Sequence, residues 1–588
     1  MASYENLYPG ATYLLDPSYN FLGYRVKAGE MGGTTSIQTA NQLREVSNML
    51  NQGMKTTEVS VINPEVFEMM PKGHLTEIKR LNKLTGAEST IHAPIIDPSG
   101  FTDQGWSEEN REKVENQFAS FVERSHEIDP KGNIPVTIHA SGIQGTEIVP
   151  SSHRLATPKE KGKSEIISKM VAVDRDNGRM VNLEREKLFY PTDPEGHIFT
   201  PEKRLESANA SHWWNQLAQL VFYKDRGLEL VKEAIPLVMG ADMKNLTPEQ
   251  TSALQQVQNG QIYLENTRLS LQNIYDQAYK YSNEKGKEKL KEAAQKFKNE
   301  FDRARLAAQH GDQVSFVGSY ASSLQNLITN MQQITEHEPP KQYIPIEEFV
   351  KEKASKTLSN VALNAYKKFG VNAPIVSIEN PPYGGAISTG EDLKNLIIRT
   401  RNEFADKLVD QGKGRGEANK IAERLIGATW DTSHISMIRK QGFGKERLIK
   451  ETEAIAPYVK HLHYNDNFGT THTDLPPGMG SVPMKEILRA LQKKGFKGKR
   501  IFEGGNFFQH FRTSPFPYML EYGGAPIYGM GSPYWNQLGY LGAYYAGHGP
   551  INPGIHHSTY GAGFQNLPLE LGGEMPGDRG RFSGTPNQ

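Results

Sequence analysis

Residues 427–466 read GATWDTSHISMIRKQGFGKERLIKETEAIAPYVKHLHYND. The runs GATWDTSH at 427–434 and VKHLHYND at 459–466 read as two short strands and their exits, and Lys445–Tyr458 between them reads as a helix. A strand, a helix and a strand of these lengths make a right-handed βαβ unit with parallel strands. Asp431 and His434 stand at the end of the first strand, and His463 stands at the end of the second.

The same alternation extends in both directions. Upstream, GYRVKAG (23–29), TEVSVI (57–62), STIHAP (89–94) and IPVTIHA (134–140) read as four strands separated by amphipathic helices. One of these helices, Glu108–His126, carries Val114, Phe118, Phe121 and Val122 at three- and four-residue spacings. After residue 340 the pattern resumes with PIVSIEN (374–380), the two strands above and KRIFEG (499–504). Four strands precede the interruption and four follow it, the complement of a (β/α)8 TIM barrel. The expected fold is therefore α/β, a TIM barrel with a large helical insertion after strand 4 and a Gly/Tyr-rich C-terminal extension. The expected segments are 1–149 (strands 1–4), 150–343 (mostly helical insertion), 344–515 (strands 5–8) and 516–588 (Gly/Tyr/Pro-rich extension).

The insertion opens with a basic stretch, RLATPKEKGKSE at 154–165, which reads as a loop, and then becomes helical. Its Lys- and Glu-dense part, 280–305, reads as a solvated helix face, and His212, Trp213 and Trp214 read as core. Composition narrows the chemistry. Among 588 residues there is no Cys, which excludes disulfides, thiolate metal sites and a Cys nucleophile. Lys plus Arg and Asp plus Glu both number 67, so no global field draws in nucleic acid. No run of 18 apolar residues and no basic segment followed by an apolar one occurs, so a cytoplasmic protein with no membrane partner is expected. Oligomeric state is not encoded in any motif.

In a barrel of this type the active site lies at the C-terminal ends of the strands. Those ends deliver His92, His139, Glu379, Asp431 (with His434 three residues on), His463 and Glu503, while the loop after strand seven carries His472 and Asp474. So many imidazoles and carboxylates at one rim, with few Lys or Arg beside them, call for divalent cations. With N and O ligands alone, Zn2+, Mn2+ or Fe2+ are the candidates.

The segments TIHAP, TIHASG, SIENPPYGG, WDTSH, HLHYND, HTDLPPGMG and FEGG, in this order, resemble the xylose isomerase-like barrel superfamily and most of all endonuclease IV, the family-2 abasic-site (AP) endonucleases. The resemblance covers roughly 20–150 and 345–510. It implies a three-metal centre, usually zinc. His92 and His139 would hold the first ion, Glu379 would bridge to a second completed by Asp431, His463 and Glu503, and His434 with His472 and Asp474 would hold the third. The sequence departs from the family at His472-Thr-Asp474, where the usual order is Asp-x-His, at Met479 in place of an acidic residue, and at Ser433 in place of Cys.

Two activities follow from the resemblance. The first is a DNA-repair hydrolase that cleaves a phosphodiester of damaged DNA at abasic sites, with Glu379 and Glu503 as the catalytic carboxylates. The second is a sugar or sugar-phosphate isomerase or epimerase, which would use Glu379, Asp431, His463 and Glu503 around one Mn2+ or Mg2+ and act on a small sugar. A metal-retaining binding module is a third reading. His92, His139, His472 and Asp474 separate the first from the second.

Overall fold

The computed structural model describes residues 30–504, apart from positions 38, 52–53, 62, 239–240, 242–244 and 309–312, together with Phe507, Phe511, Pro515 and Met519. The expected extension from 516 onward therefore lies almost wholly outside the described residues. Eight parallel strands close into a barrel: β1 (Met31–Thr34), β2 (Thr56–Ser60), β3 (Glu88–His92), β4 (Pro135–His139), β5 (Ile375–Glu379), β6 (Ile426–Asp431), β7 (Val459–His463) and β8 (Arg500–Phe502). β1 pairs with β2 through Gly32↔Thr56 and with β8 through Gly32↔Ile501, which closes the ring.

The expected first strand, GYRVKAG at 23–29, lies outside the described residues, and the strand that closes the barrel is MGGT at 31–34. Its glycines score poorly for β structure, but the packing demands one of them. A Cβ on Gly32 would stand 2.1 Å from the Thr56 carbonyl oxygen.

Five strands share a period-two pattern that explains both layers of the barrel. Thr90-Ile91-His92, Thr137-Ile138-His139, Ser377-Ile378-Glu379, Thr429-Trp430-Asp431 and His461-Leu462-His463 each present polar, apolar, polar. The middle residues are fully buried, and alternation along a strand turns them to the face opposite their polar neighbours. Trp430, for example, reaches Thr452 in the helix Lys445–Ile455. The flanking polar residues meet inside the barrel. Thr137 Oγ1 lies 3.0 Å from Thr429 Oγ1, which donates to Ser377 Oγ at 2.8 Å. The helix Glu108–Ser125 forms where its periodicity predicts, with Val114, Phe118, Phe121 and Val122 buried and Ser107 capping its N-terminus.

The chain divides into two compact units, one of residues 1–171 and 346–588, the other of residues 172–345. The second contains the helices Pro201–Val238, Pro248–Tyr281, Glu284–Ala308 and Gln313–Thr335. Trp213 is core there, 2% exposed, with its indole N–H donating to Thr335 Oγ1. Gly227 and Gly260 let the first two helices approach closely, since a Cβ on Gly260 would stand 2.6 Å from Val231 Cγ2. Strands at Met180–Glu184, Glu186–Tyr190 and Asp193–Phe199 precede the helices, so this region begins as β structure. No helix among the described residues is long and apolar enough to cross a membrane.

The Gly32 contact is testable. Gly32→Ala must push β1 off β2, and denaturant titration should show a loss of about 3 kcal/mol, the upper range for overpacking a core. A loss under about 0.5 kcal/mol would mean that the strands do not meet as described.

Candidate metal centre

All nine residues picked from the sequence lie at the ends of strands β3 to β7, in the short helix Thr432–Ser436 after β6, in the loop after β7 or directly after β8. The inward alternation stacks His92, His139, Glu379, Asp431 and His463 as the last inward residues of five strands, and Glu503 follows β8 directly. Two ligand sets form around one carboxylate. Glu379 Oε2 lies 3.1 Å from His139 Nε2 and 3.3 Å from His92 Nε2, and the two imidazole nitrogens are 3.2 Å apart. A tetrahedral cation with bonds of about 2.0–2.1 Å sets its ligand atoms about 3.3 Å apart, so this triangle matches one face of such a site. Glu379 Oε2 is buried and has no hydrogen-bond partner.

The other oxygen of the same carboxylate faces the second set. His463 Nδ1 stands 2.6 Å from Glu379 Oε1, 3.2 Å from Glu503 Oε2 and 3.9 Å from Asp431 Oδ2. Glu379, Asp431, His463 and Glu503 lie close enough to serve one ion together. The third expected set is joined pairwise rather than gathered. His434 and His472 bring their Nε2 atoms within 2.9 Å, and Asp474 Oδ1 lies 3.6 Å from His472 Nε2.

Neighbouring groups fix which nitrogen faces the centre. His92 Nδ1 is 2.8 Å from the Ala93 carbonyl and His434 Nδ1 is 2.7 Å from the Asn380 carbonyl. Each carbonyl takes the Nδ1–H and leaves the Nε2 lone pair for the site. Sequence reasoning missed four further residues. Glu58, on β2, accepts from Thr90 Oγ1 at 2.7 Å and pairs with His461 Nε2 at 2.8 Å. Its other oxygen faces His463 Nε2 at 3.1 Å, which turns the Nδ1 lone pair of His463 toward Glu379 and Glu503. Asn465 donates to Asp431 Oδ2 and Glu503 Oε2 and accepts from the Glu503 amide. Asn380 accepts from the Asp431 amide. The only sequence signals for these residues were the inward parity of Glu58 and His461 and the position of each Asn just past a ligand.

The loop bearing His472 and Asp474 is held by Asp466, whose carboxylate accepts the amides of Asn467, Gly478 and Val482. Gly480 packs on it, since a Cβ there would stand 2.3 Å from Asp466 Oδ1. The residue between these glycines, Met479, therefore falls in a backbone cradle for a carboxylate supplied by Asp466.

The charge balance of the site is carried by carboxylates and imidazoles alone. Among the described residues, every ion pair made by Glu58, Glu379, Asp431, Asp474 and Glu503 is with a histidine. Burial raises the Glu379 carboxyl, but the His463 and His139 rings outweigh it and hold it well below the usual range. Burial lowers His139 to about 4. His92 is also lowered by burial, yet the Glu379 carboxylate beside it and the charge of Glu503 lift it to about 9. His463 is raised well above the ordinary range because Glu379, Glu503 and Glu58 outweigh its burial. Burial and the charges of Asp431 and Glu503 bring Asp474 to about 7.

Residues 408–507 match the family described as xylose isomerase-like TIM barrel, and the eight-stranded barrel around them has that architecture. No curated protein matches the chain. A solved structure titled "Crystal structure of D-tagatose 3-epimerase-like protein" matches with a TM-score of 0.36 and 10% identity, covering 84% of this chain and 96% of that chain. Members of this superfamily include isomerases, epimerases and endonuclease IV, and the clusters here fit its use of divalent metals.

Two outcomes are expected. His92 and His463 hold protons at neutral pH in the metal-free protein and must release them to become ligands. Affinity for a divalent cation should therefore rise with pH up to about 9, by about tenfold per pH unit for each proton displaced. Calorimetry in buffers of different ionisation heat measures this directly, and binding without proton release would contradict the assignment. Glu58→Gln should weaken the second set by about 10- to 100-fold in a chelator competition. Unchanged affinity would show that Glu58 does not orient His463.

Proposed function

We propose that this protein is a metal-dependent phosphodiesterase of the endonuclease IV type that cleaves DNA beside an abasic nucleotide. One observation carries the reading: the two oxygens of Glu379 face separate ligand sets, His92 and His139 on one side and His463 on the other. A carboxylate placed in this way could hold two ions, and paired ions would suit in-line displacement at phosphorus because they stabilise both attacking and leaving oxygens. Zinc suits the all-nitrogen-and-oxygen donor set with two imidazoles on one side.

The protein's own groups then have distinct tasks. Glu379 holds the two sets in register and is sealed from water. Glu503 reaches His92 with one oxygen and His463 with the other, and at 21% side-chain exposure it is the least buried carboxylate of the two sets. It can take a proton from an attacking water. His434 and His472, with paired Nε2 atoms, extend the row of ligands toward the loop after β7. An abasic nucleotide leaves the helical stack at least cost, since no base is stacked there.

A metal-dependent sugar or sugar-phosphate isomerase or epimerase is the second reading, and one observation favours it: Glu379, Asp431, His463 and Glu503 form a compact set on their own. The two readings part on His92. Purified protein should incise a duplex bearing a single abasic site, with loss on chelation and recovery on adding zinc. His92→Ala should lower incision by at least about 100-fold, the scale seen when one charge-stabilising group is removed from an active site. No incision by the wild type, with sugar isomerisation that survives His92→Ala, would replace the first reading with the second.

A further inference from the structure

We infer that the exposed tip of the hairpin following β4, residues 151–164, contacts the phosphate backbone of duplex DNA near the reacting phosphate. This inference rests on the phosphodiesterase reading and adds to it the surface that grips the substrate. The segment reads SSHRLATPKEKGKS and joins two antiparallel strands, Glu147–Pro150 and Glu165–Asp174, paired through Val149↔Ile166 and Pro150↔Glu165. Arg154, Lys159, Lys161 and Lys163 are exposed, and none makes an ion pair among the described residues. The one carboxylate of the segment, Glu160, is turned inward, 8% exposed, and accepts from the amide and hydroxyl of Thr157. Four cations without an ion pair among the described residues thus stand within ten residues, in a chain of zero net charge.

The root of this hairpin is tied to the loops that carry the metal centre. Tyr383, four residues beyond Glu379, donates its hydroxyl to the Ile148 carbonyl and accepts the Ile148 amide. The Tyr383 amide donates to the His434 carbonyl at 3.1 Å. Glu165 pairs with Arg447, and Ile148 packs with Tyr383, Ile438 and Leu448. The loops after β5 and β6 therefore anchor the hairpin on the same rim as Glu379 and His434. No large apolar side chain of 151–164 is exposed, so the tip offers charge without a wedge for bases or lipid. Contacts of this kind position the duplex without reading its sequence.

The test uses the full-length, metal-loaded protein and a fluorescent undamaged duplex, with anisotropy recorded from 50 to 200 mM salt. Each phosphate contact adds about 0.9 to the slope of log affinity against log salt. A variant combining Arg154→Ala, Lys159→Ala, Lys161→Ala and Lys163→Ala should lose about 3 to 4 from that slope, with metal content and melting temperature unchanged. A matched variant of four exposed lysines on the helix Glu284–Ala308, at Lys285, Lys289, Lys296 and Lys298, should keep the wild-type slope. Equal slopes for the hairpin variant and the wild type would overturn the inference, as would equal losses in both variants, and neither result touches the incision assay. Wild-type protein that shows no salt-dependent binding would also overturn it, and incision of the abasic duplex then decides the phosphodiesterase reading separately.

Discussion

The Glu379 carboxylate is the constraint around which the barrel is arranged. It is fully buried, and among the described residues its Oε2 has no hydrogen bond and every ion pair it makes is with a histidine. A carboxylate in such a place is costly unless positive charge compensates it. The histidine rings meet that need in part by holding protons, as the raised His92 and His463 show. A cation on each side would meet it more completely and would free the same rings to act as bases. Metal binding would therefore be coupled to the stability of the barrel interior, as in other sites whose ligands are scattered in the unfolded chain.

This constraint reaches down the barrel and out along its loops. Beneath the ligands, Glu58, Thr90 and His461 form one hydrogen-bonded group and Thr137, Ser377 and Thr429 form another. A polar barrel interior of this kind is tolerable only when its members satisfy one another. Above the ligands, Asn380 and Asn465 tie the chain just past β5 and β7 to Asp431 and Glu503. Asp466 fastens the loop with His472 and Asp474, and Tyr383 fastens the basic hairpin. The strands set the reactive geometry, and the loops vary above it.

Much of this was legible in the sequence because one rule controls it. Inward residues alternate along a strand, so TIH, TIH, SIE, TWD and HLH each announce an inward candidate ligand at a strand end. Partners distant in sequence were not legible. Glu58 and His461 are 403 residues apart, and only closure of the barrel brings them together. Asn380 and Asn465 escaped notice because neutral amides carry no signal of charge. The closing strand MGGT escaped notice because β-propensity disfavours its glycines, whereas close approach to Thr56 requires a glycine at position 32; GYRVKAG lies outside the described residues. The strands between 165 and 199 were overshadowed by the basic loop before them, although EIISKMVAVD within Glu165–Asp174 has strand composition.

Anomalous scattering from crystals of the zinc-loaded protein would separate paired ions from a single one at Glu379. Two ions should flank the Glu379 carboxylate, about 3.5–4 Å apart, one against His92 and His139 and the other against Asp431, His463 and Glu503. A single ion in the Glu379, Asp431, His463 and Glu503 set, with His92 and His139 vacant under saturating metal, would contradict the account.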